Sequence, residues 1–205
     1  MGSPPAVVMG ISGKHEQLVD ITALQKRKLP LIRRFSGGGT IIADENTLFV
    51  TFIFNEASVA IPTYPEPIMR WTERLYKEAI PHPDFHLRDN DYVLGQRKCG
   101  GNAQYIRKER WLHHSSLLWD YDSEKMSCLY IPQKMPAYRQ GRPHEEFLCK
   151  LKDYLPTKET LHSRLEAALD KRFEIKKRSV QELSEILKAP HRRALEYVDV
   201  KKVRQ

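Results

Sequence analysis

The run Leu48-Phe49-Val50-Thr51-Phe52-Ile53-Phe54 constrains the fold more than any other segment of this chain. Apart from Leu48, every residue in it is β-branched or aromatic. Such side chains lose rotamer freedom in a helix and pack well on a pleated surface, so the segment reads as a strand. Its near-continuous apolarity predicts burial on both faces. Shorter extended patterns surround it, at Ala6 to Met9, Leu31 to Phe35, Thr40 to Ile42, Phe85 to Arg88, Tyr92 to Leu94, Ala103 to Arg107 and Trp111 to Trp119. Helical spacing appears over residues 16–28 (Leu18, Ile21, Leu24) and 68–80 (Ile68, Trp71, Leu75, Ala79). It returns over 144–155, in a segment capped by Thr157 (Leu161, Leu165, Ala168, Leu169), and over 180–187. Pro62, Pro65 and Pro67 mark a loop, and residues 132–143 read as irregular. Strands first and helices concentrated in the last third predict an α+β fold, with a mixed, largely antiparallel sheet and packed helices.

At 205 residues the chain is long enough for one domain with a full core. We expect residues 1–160 to form that body and 161–205 a helical extension of the same domain ending in a basic tail. No apolar run approaches the roughly 20 residues of a membrane span. The three cysteines, Cys99, Cys128 and Cys149, form no CxxC pair, which argues against a disulfide framework and fits a reducing compartment. Neither a cleavable signal nor an Arg-rich presequence is legible at the start. The net charge is +8, but residues 171–205 alone carry eleven Lys/Arg against five Asp/Glu. The body is therefore close to balanced and shows no broad polyanion footprint. No zinc finger or RNP aromatic motif supports a nucleic-acid-binding module, the non-enzymatic alternative.

Three segments could carry chemistry. In Arg33-Arg34-Phe35-Ser36-Gly37-Gly38-Gly39-Thr40, consecutive glycines let the backbone approach a ligand closely. Their N–H groups can form an anion-binding concavity, and an upstream arginine adds a fixed charged fork. The bland alternative is a glycine turn with two surface arginines. Lys98-Cys99-Gly100-Gly101-Asn102-Ala103 reads as strand–turn–strand, with a lysine able to reach a phosphate or an activated carbonyl. Strand alternation turns Cys99 away from a pocket that Lys98 faces, favouring a buried structural thiol over an acyl-carrying nucleophile. His113-His114 cannot chelate one ion, because neighbours on a strand point to opposite faces. No P-loop, GxGxxG or GxSxG motif is present.

Taken in order, Arg33-Arg34-x-Ser-Gly-Gly-Gly-Thr, then Asn90-Asp91 with Lys98-x-Gly-Gly-Asn-Ala, then His113-His114-x-x-Leu117-Leu118 resemble the motifs of the lipoate–protein ligase A family of the biotin/lipoate ligase fold. The resemblance covers roughly residues 5–160, and Gly-Gly-Asn-Ala-Gln together with Pro136-Ala137-Tyr138-Arg139 is most similar to the eukaryotic, plant-like branch. It implies an enzyme that uses ATP with Mg²⁺ to convert lipoate to lipoyl-AMP. The lipoyl group then passes to a lysine of an acceptor domain, in the E2 subunits of 2-oxoacid dehydrogenases or the glycine cleavage H protein. Arg33 is expected to contact the nucleotide, and Gly38, Gly39, Thr40 and Ile41 to line the adenylate. Lys98, as the catalytic residue, is expected to contact both the phosphate and the lipoyl carbonyl, with the apolar strands lining the lipoyl chain; Asp91 is a candidate neighbour of the metal ion, but one carboxylate does not make a metal site. The implied location is intracellular, mitochondrial in a eukaryote and otherwise cytoplasmic. Many family ligases carry a separate C-terminal domain linked to adenylation, and the short segment 156–205 shows no clear sign of it. An ATP-independent octanoyl or lipoyl transferase is the enzymatic alternative.

Overall fold

The structure, a computed structural model, describes residues 2–188 and 195–200. Its strands are β1 Ala6–Met9, β2 Leu31–Arg33, β3 Ile41–Ala43, β4 Thr47–Asn55, β5 Phe85–Arg88, β6 Asp91–Leu94, β7 Arg97–Arg107, β8 Arg110–Leu118 and β9 Glu196–Val198. The helices are α1 His15–Leu18, α2 Ile21–Arg27, α3 Pro65–Ala79, α4 Ser123–Met126, α5 His144–Phe147, α6 Lys158–Asp170 and α7 Ser184–Lys188. The strands form two sheets, one ordered β3-β1-β2-β9 and one ordered β4-β8-β7-β6-β5. Among the strand pairings of the described residues, only β1–β2 is parallel. The architecture is therefore α+β with mixed, largely antiparallel sheets.

One face of the larger sheet packs on α3 and α6. Pro65 occupies the first turn of α3, where its missing N–H costs nothing. Ile68, Trp71, Leu75, Tyr76 and Ala79 then recur on one side and meet Phe52, Tyr92 and Trp111 of the sheet. Leu161 and Ala168 of α6 close the same core, and Thr157 caps α6 by accepting from Thr160 N–H at 3.0 Å. The opposite face meets the smaller sheet. Val93 and Leu118 share a second core with Val7, Met9, Leu31 and Ile42.

The structure departs from the sequence expectations at six places. Pro65 and Pro67, expected in a loop, lie in the first turn of α3, where a missing N–H is tolerated. The two faces of β4 differ: Phe52 is buried against α3, but Ile53, opposite Leu112 on the other face, is 70% exposed because nothing among the described residues covers that end of the sheet. The expected helix over 16–28 breaks at Val19–Asp20. There Asp20 N–H donates to Cys128 O, and the Asp20 carboxylate accepts from Ala23 N–H and starts α2. The expected helix over 144–155 stops after α5. Beyond it Leu148 runs alongside Lys98, and Cys149 N–H donates to Lys98 O at 2.8 Å, satisfying a carbonyl past the end of β8. Gly100 and Gly101 lie within β7 and do not form a turn. The basic end contains β9, which pairs with β2. Residues 189–194 and 201–205 of that end lie outside the described residues.

Candidate active site

The lysine is aimed by an irregularity in β7. Tyr92 pairs with Gly100 and Val93 with Lys98, so Cys99 is one extra residue between two successive pairs. An inserted residue shifts everything beyond it to the other face. Strict alternation would put Lys98 and Gly101 on opposite sides. The bulge puts them on the same side, where a side chain at Gly101 would stand 3.2 Å from Lys98 Nζ. The Lys98 ammonium lies 2.7 Å from Asp91 Oδ1. Tyr138 O–H donates to the other oxygen, Oδ2, at 2.8 Å.

The glycine loop covers the same face of β7 two residues further along. Phe35 meets the Tyr105 ring edge-on at 5.6 Å between centroids. Gly38 has φ of +104°, which favours glycine, and a Cβ there would come 3.1 Å from Asn102 O and 2.8 Å from Arg34 Nη2. On its other side the loop leans on Gly10, where an added Cβ would meet Gly38 O at 2.3 Å. At Gly37 and Gly39 an added Cβ meets nothing within 4 Å.

Arg34 folds across this loop, donating to Gly37 O at 2.9 Å and Gly39 O at 2.8 Å. Among the described residues no carboxylate pairs with it, and burial pulls its pKa down to about 10. Its Nε is buried without a partner, as is Thr40 Oγ1. A half-buried charge facing carbonyl dipoles, with no carboxylate beside it, is stabilised by an incoming anion. The loop therefore has the chemistry of an anion site.

The two histidines divide between the faces of β8. His113 is fully buried on the α3 side. Its Nδ1 accepts from Gln104 Nε2 at 2.9 Å, and Nε2 faces Ser115 Oγ at 3.1 Å. Burial lowers its pKa to about 3, which favours the neutral imidazole at physiological pH. His114 lies on the loop side, stacked on Phe49 at 5.0 Å and bonded to Thr51 Oγ1. Its pKa is lowered first by burial and then by the Arg34 charge.

The family model of the lipoyl protein ligase A/B catalytic domain matches residues 1–174. The chain belongs to that family. A curated relative, Inactive lipoate–protein ligase 2 of Plasmodium falciparum, is 29% identical over 71% of this chain and 47% of its own length. The chain thus spans about half the length of the relatives it matches. Among solved structures, a bi-partite lipoate protein ligase of Thermoplasma acidophilum, described with its E2 lipoyl domain, superposes with TM-score 0.69. It is 17% identical and covers 89% of this chain and 74% of that one. A lipoate–protein ligase A bound with ATP gives TM-score 0.65 at 19% identity, over 89% of this chain and 76% of that one. These two likenesses concern the fold.

Within this lipoyl ligase fold, the expected site residues separate. Gly38, Gly39 and Thr40 lie with Arg34 on the loop, and Ile41 begins β3 behind them. Lys98 stands on the β7 face that the loop covers. Arg33 turns elsewhere: it donates to Gly13 O at 2.7 Å and Ile11 O at 3.2 Å, and pairs with Glu196 of β9 at 3.5 Å. The structure brings Arg34, rather than Arg33, to the glycines. Neighbours on a strand point to opposite faces, so only one of the two can reach the loop. Cys99 is buried with its thiol pKa raised by burial, and donates to Tyr92 O. Sequence reasoning missed Gly10 and the role of Tyr138. Neither lies next to the motif it serves.

Proposed function

We propose that the chain activates lipoate with ATP to lipoyl-AMP and transfers the lipoyl group to a lysine of a lipoyl acceptor domain, such as that of a 2-oxoacid dehydrogenase E2 subunit or the H protein. One observation carries this reading. The carboxylate-free Arg34 guanidinium, with its orphaned Nε, sits beside the open backbone of Gly37 and Gly39, on the face of β7 that also holds Lys98. Family membership supports lipoate as the acid to be activated. The neighbour bound with ATP supports the nucleotide, and the one described with its E2 lipoyl domain supports the acceptor.

In the first step a lipoate carboxylate oxygen attacks the α-phosphorus, and the bond to pyrophosphate breaks. Arg34 and the loop N–H groups hold the phosphate oxygens, with Thr40 and Ile41 against the adenylate. In the second step the acceptor amine attacks the acyl carbon and AMP leaves. Lys98 stabilises the negative charge that develops on the carbonyl and phosphate oxygens, a task for a compact, pre-positioned cation. The half-buried strip of Phe49, Tyr105 and Leu112 offers the acyl chain an apolar bed on the same face. Mg²⁺ accompanies ATP in reactions of this type. Among the described residues no group of three His, Cys, Asp or Glu could cage a metal, and both Asp91 oxygens are engaged. The residues present therefore do not form a protein-made magnesium site.

Lipoate-dependent exchange of labelled pyrophosphate into ATP tests the activation step. Exchange is the expected result. No exchange, with acyl transfer intact from preformed lipoyl-AMP, would reduce the activity to that of a transferase.

A further inference from the structure

The Asp91 carboxylate is held from both sides. Lys98 takes one oxygen and the Tyr138 hydroxyl the other. The three residues come from separate parts of the chain: β6, β7 and a single 3-10 turn at Ala137–Arg139. That turn is anchored. Arg142 Nη2 donates to Tyr138 O at 2.9 Å and to Gln96 O at 3.0 Å, tying the turn to the β6–β7 connection just ahead of Lys98. Arg139 Nε donates to Arg142 O at 3.0 Å, and the Arg139 guanidinium lies 4.7 Å from the centre of the Phe147 ring. The Tyr138 ring is itself packed, with Phe147 at 5.2 Å and the Arg88 guanidinium at 4.5 Å.

A carboxylate with one partner can rotate and carry that partner with it. A second donor, fixed by packing, leaves it one orientation. Tyr138 suits this task because burial, and then the Asp91 charge, push its pKa far up. Its hydroxyl therefore keeps its proton and remains a donor at neutral pH.

We propose that Tyr138 is a positioning residue, which fixes the Lys98 ammonium through Asp91 and so couples the 136–147 segment to the reacting centre. The kinetic consequence rests on the lipoyl-transfer reading above; the geometric claim does not. Tyr138→Phe removes one oxygen and keeps the ring contacts. The expected result is a fall in kcat for lipoyl transfer of about tenfold, with KM for lipoate and ATP changed less than about twofold. The melting temperature should stay within about 3 °C. In an Asp91→Asn background the same change should have little further effect, because the link is already broken. A second readout needs no activity: the ¹⁵Nζ–¹H signal of Lys98 is expected to be observable in slow exchange in the wild type and to broaden or vanish in Tyr138→Phe. An unchanged kcat together with an unchanged ammonium signal would overturn the proposal, as would full additivity of the two substitutions. If the wild type transfers no lipoyl group, the functional reading fails and the ammonium signal alone decides the positioning claim.

Discussion

Gly38 and Gly39 are adjacent, yet the fold asks different things of them. Gly38 has positive φ and sits against Arg34 and Asn102, whereas a side chain at Gly39 would enter open space. Gly38→Ala should therefore lower stability, by about 1 kcal/mol or more. Gly39→Ala should leave it within about 0.5 kcal/mol of the wild type. If the loop N–H groups approach an adenylate, Gly39→Ala should nevertheless weaken binding of a non-hydrolysable lipoyl-AMP analogue by about tenfold or more. Denaturation and calorimetric titration of both variants separate the two roles. Undiminished binding by Gly39→Ala would mean that no ligand lies against that backbone. The three glycines were legible in the sequence as a group, but not which of them serves the fold. That distinction depends on where the loop docks, against residues some 65 positions away.

The elements most visible in the sequence were those whose side chains carry a strong period. β1 and β5 have the predicted bounds, and α6 begins after the predicted cap. Expectations failed where tertiary pairing overrode local pattern. The bulge at Cys99 leaves no mark in residue type, yet it decides which face Lys98 takes. The segment after α5 becomes extended because Lys98 O needs a donor there. The near-continuous apolarity of β4 predicts two buried faces, but composition does not show that one face is left uncovered at Ile53. The uncovered face makes a concrete prediction. Phe52→Ala, in the α3 core, should cost about 3–5 kcal/mol, whereas Ile53→Thr should change stability by less than about 0.5 kcal/mol. Equal losses in urea denaturation would show that the outer side of β4 is covered in solution.

At the scale of the whole molecule, the large sheet separates two environments. One face holds the apolar core under α3 and α6, together with neutral, buried His113. The other holds the ionic centre of Lys98 and Asp91 and the docked glycine loop with Arg34. The order of the motifs along the chain indicated the family before any geometry was known, because β2, β7 and β8 each deliver one motif to neighbouring positions. The +8 net charge did not point to the site, since most of it belongs to residues 171–205. The central claim is that this face transfers a lipoyl group with Lys98 as its catalytic cation. Intact-mass spectrometry of an isolated lipoyl acceptor domain tests it most directly. The domain is incubated with the protein and Mg-ATP plus lipoate, or with preformed lipoyl-AMP, alongside Lys98→Ala in both arms. The account predicts lipoylated acceptor in both arms with the wild type, and a rate at least about 100-fold lower in both with Lys98→Ala. An acceptor left unmodified by the wild type in both arms, or modified equally fast by a folded Lys98→Ala protein, would contradict it.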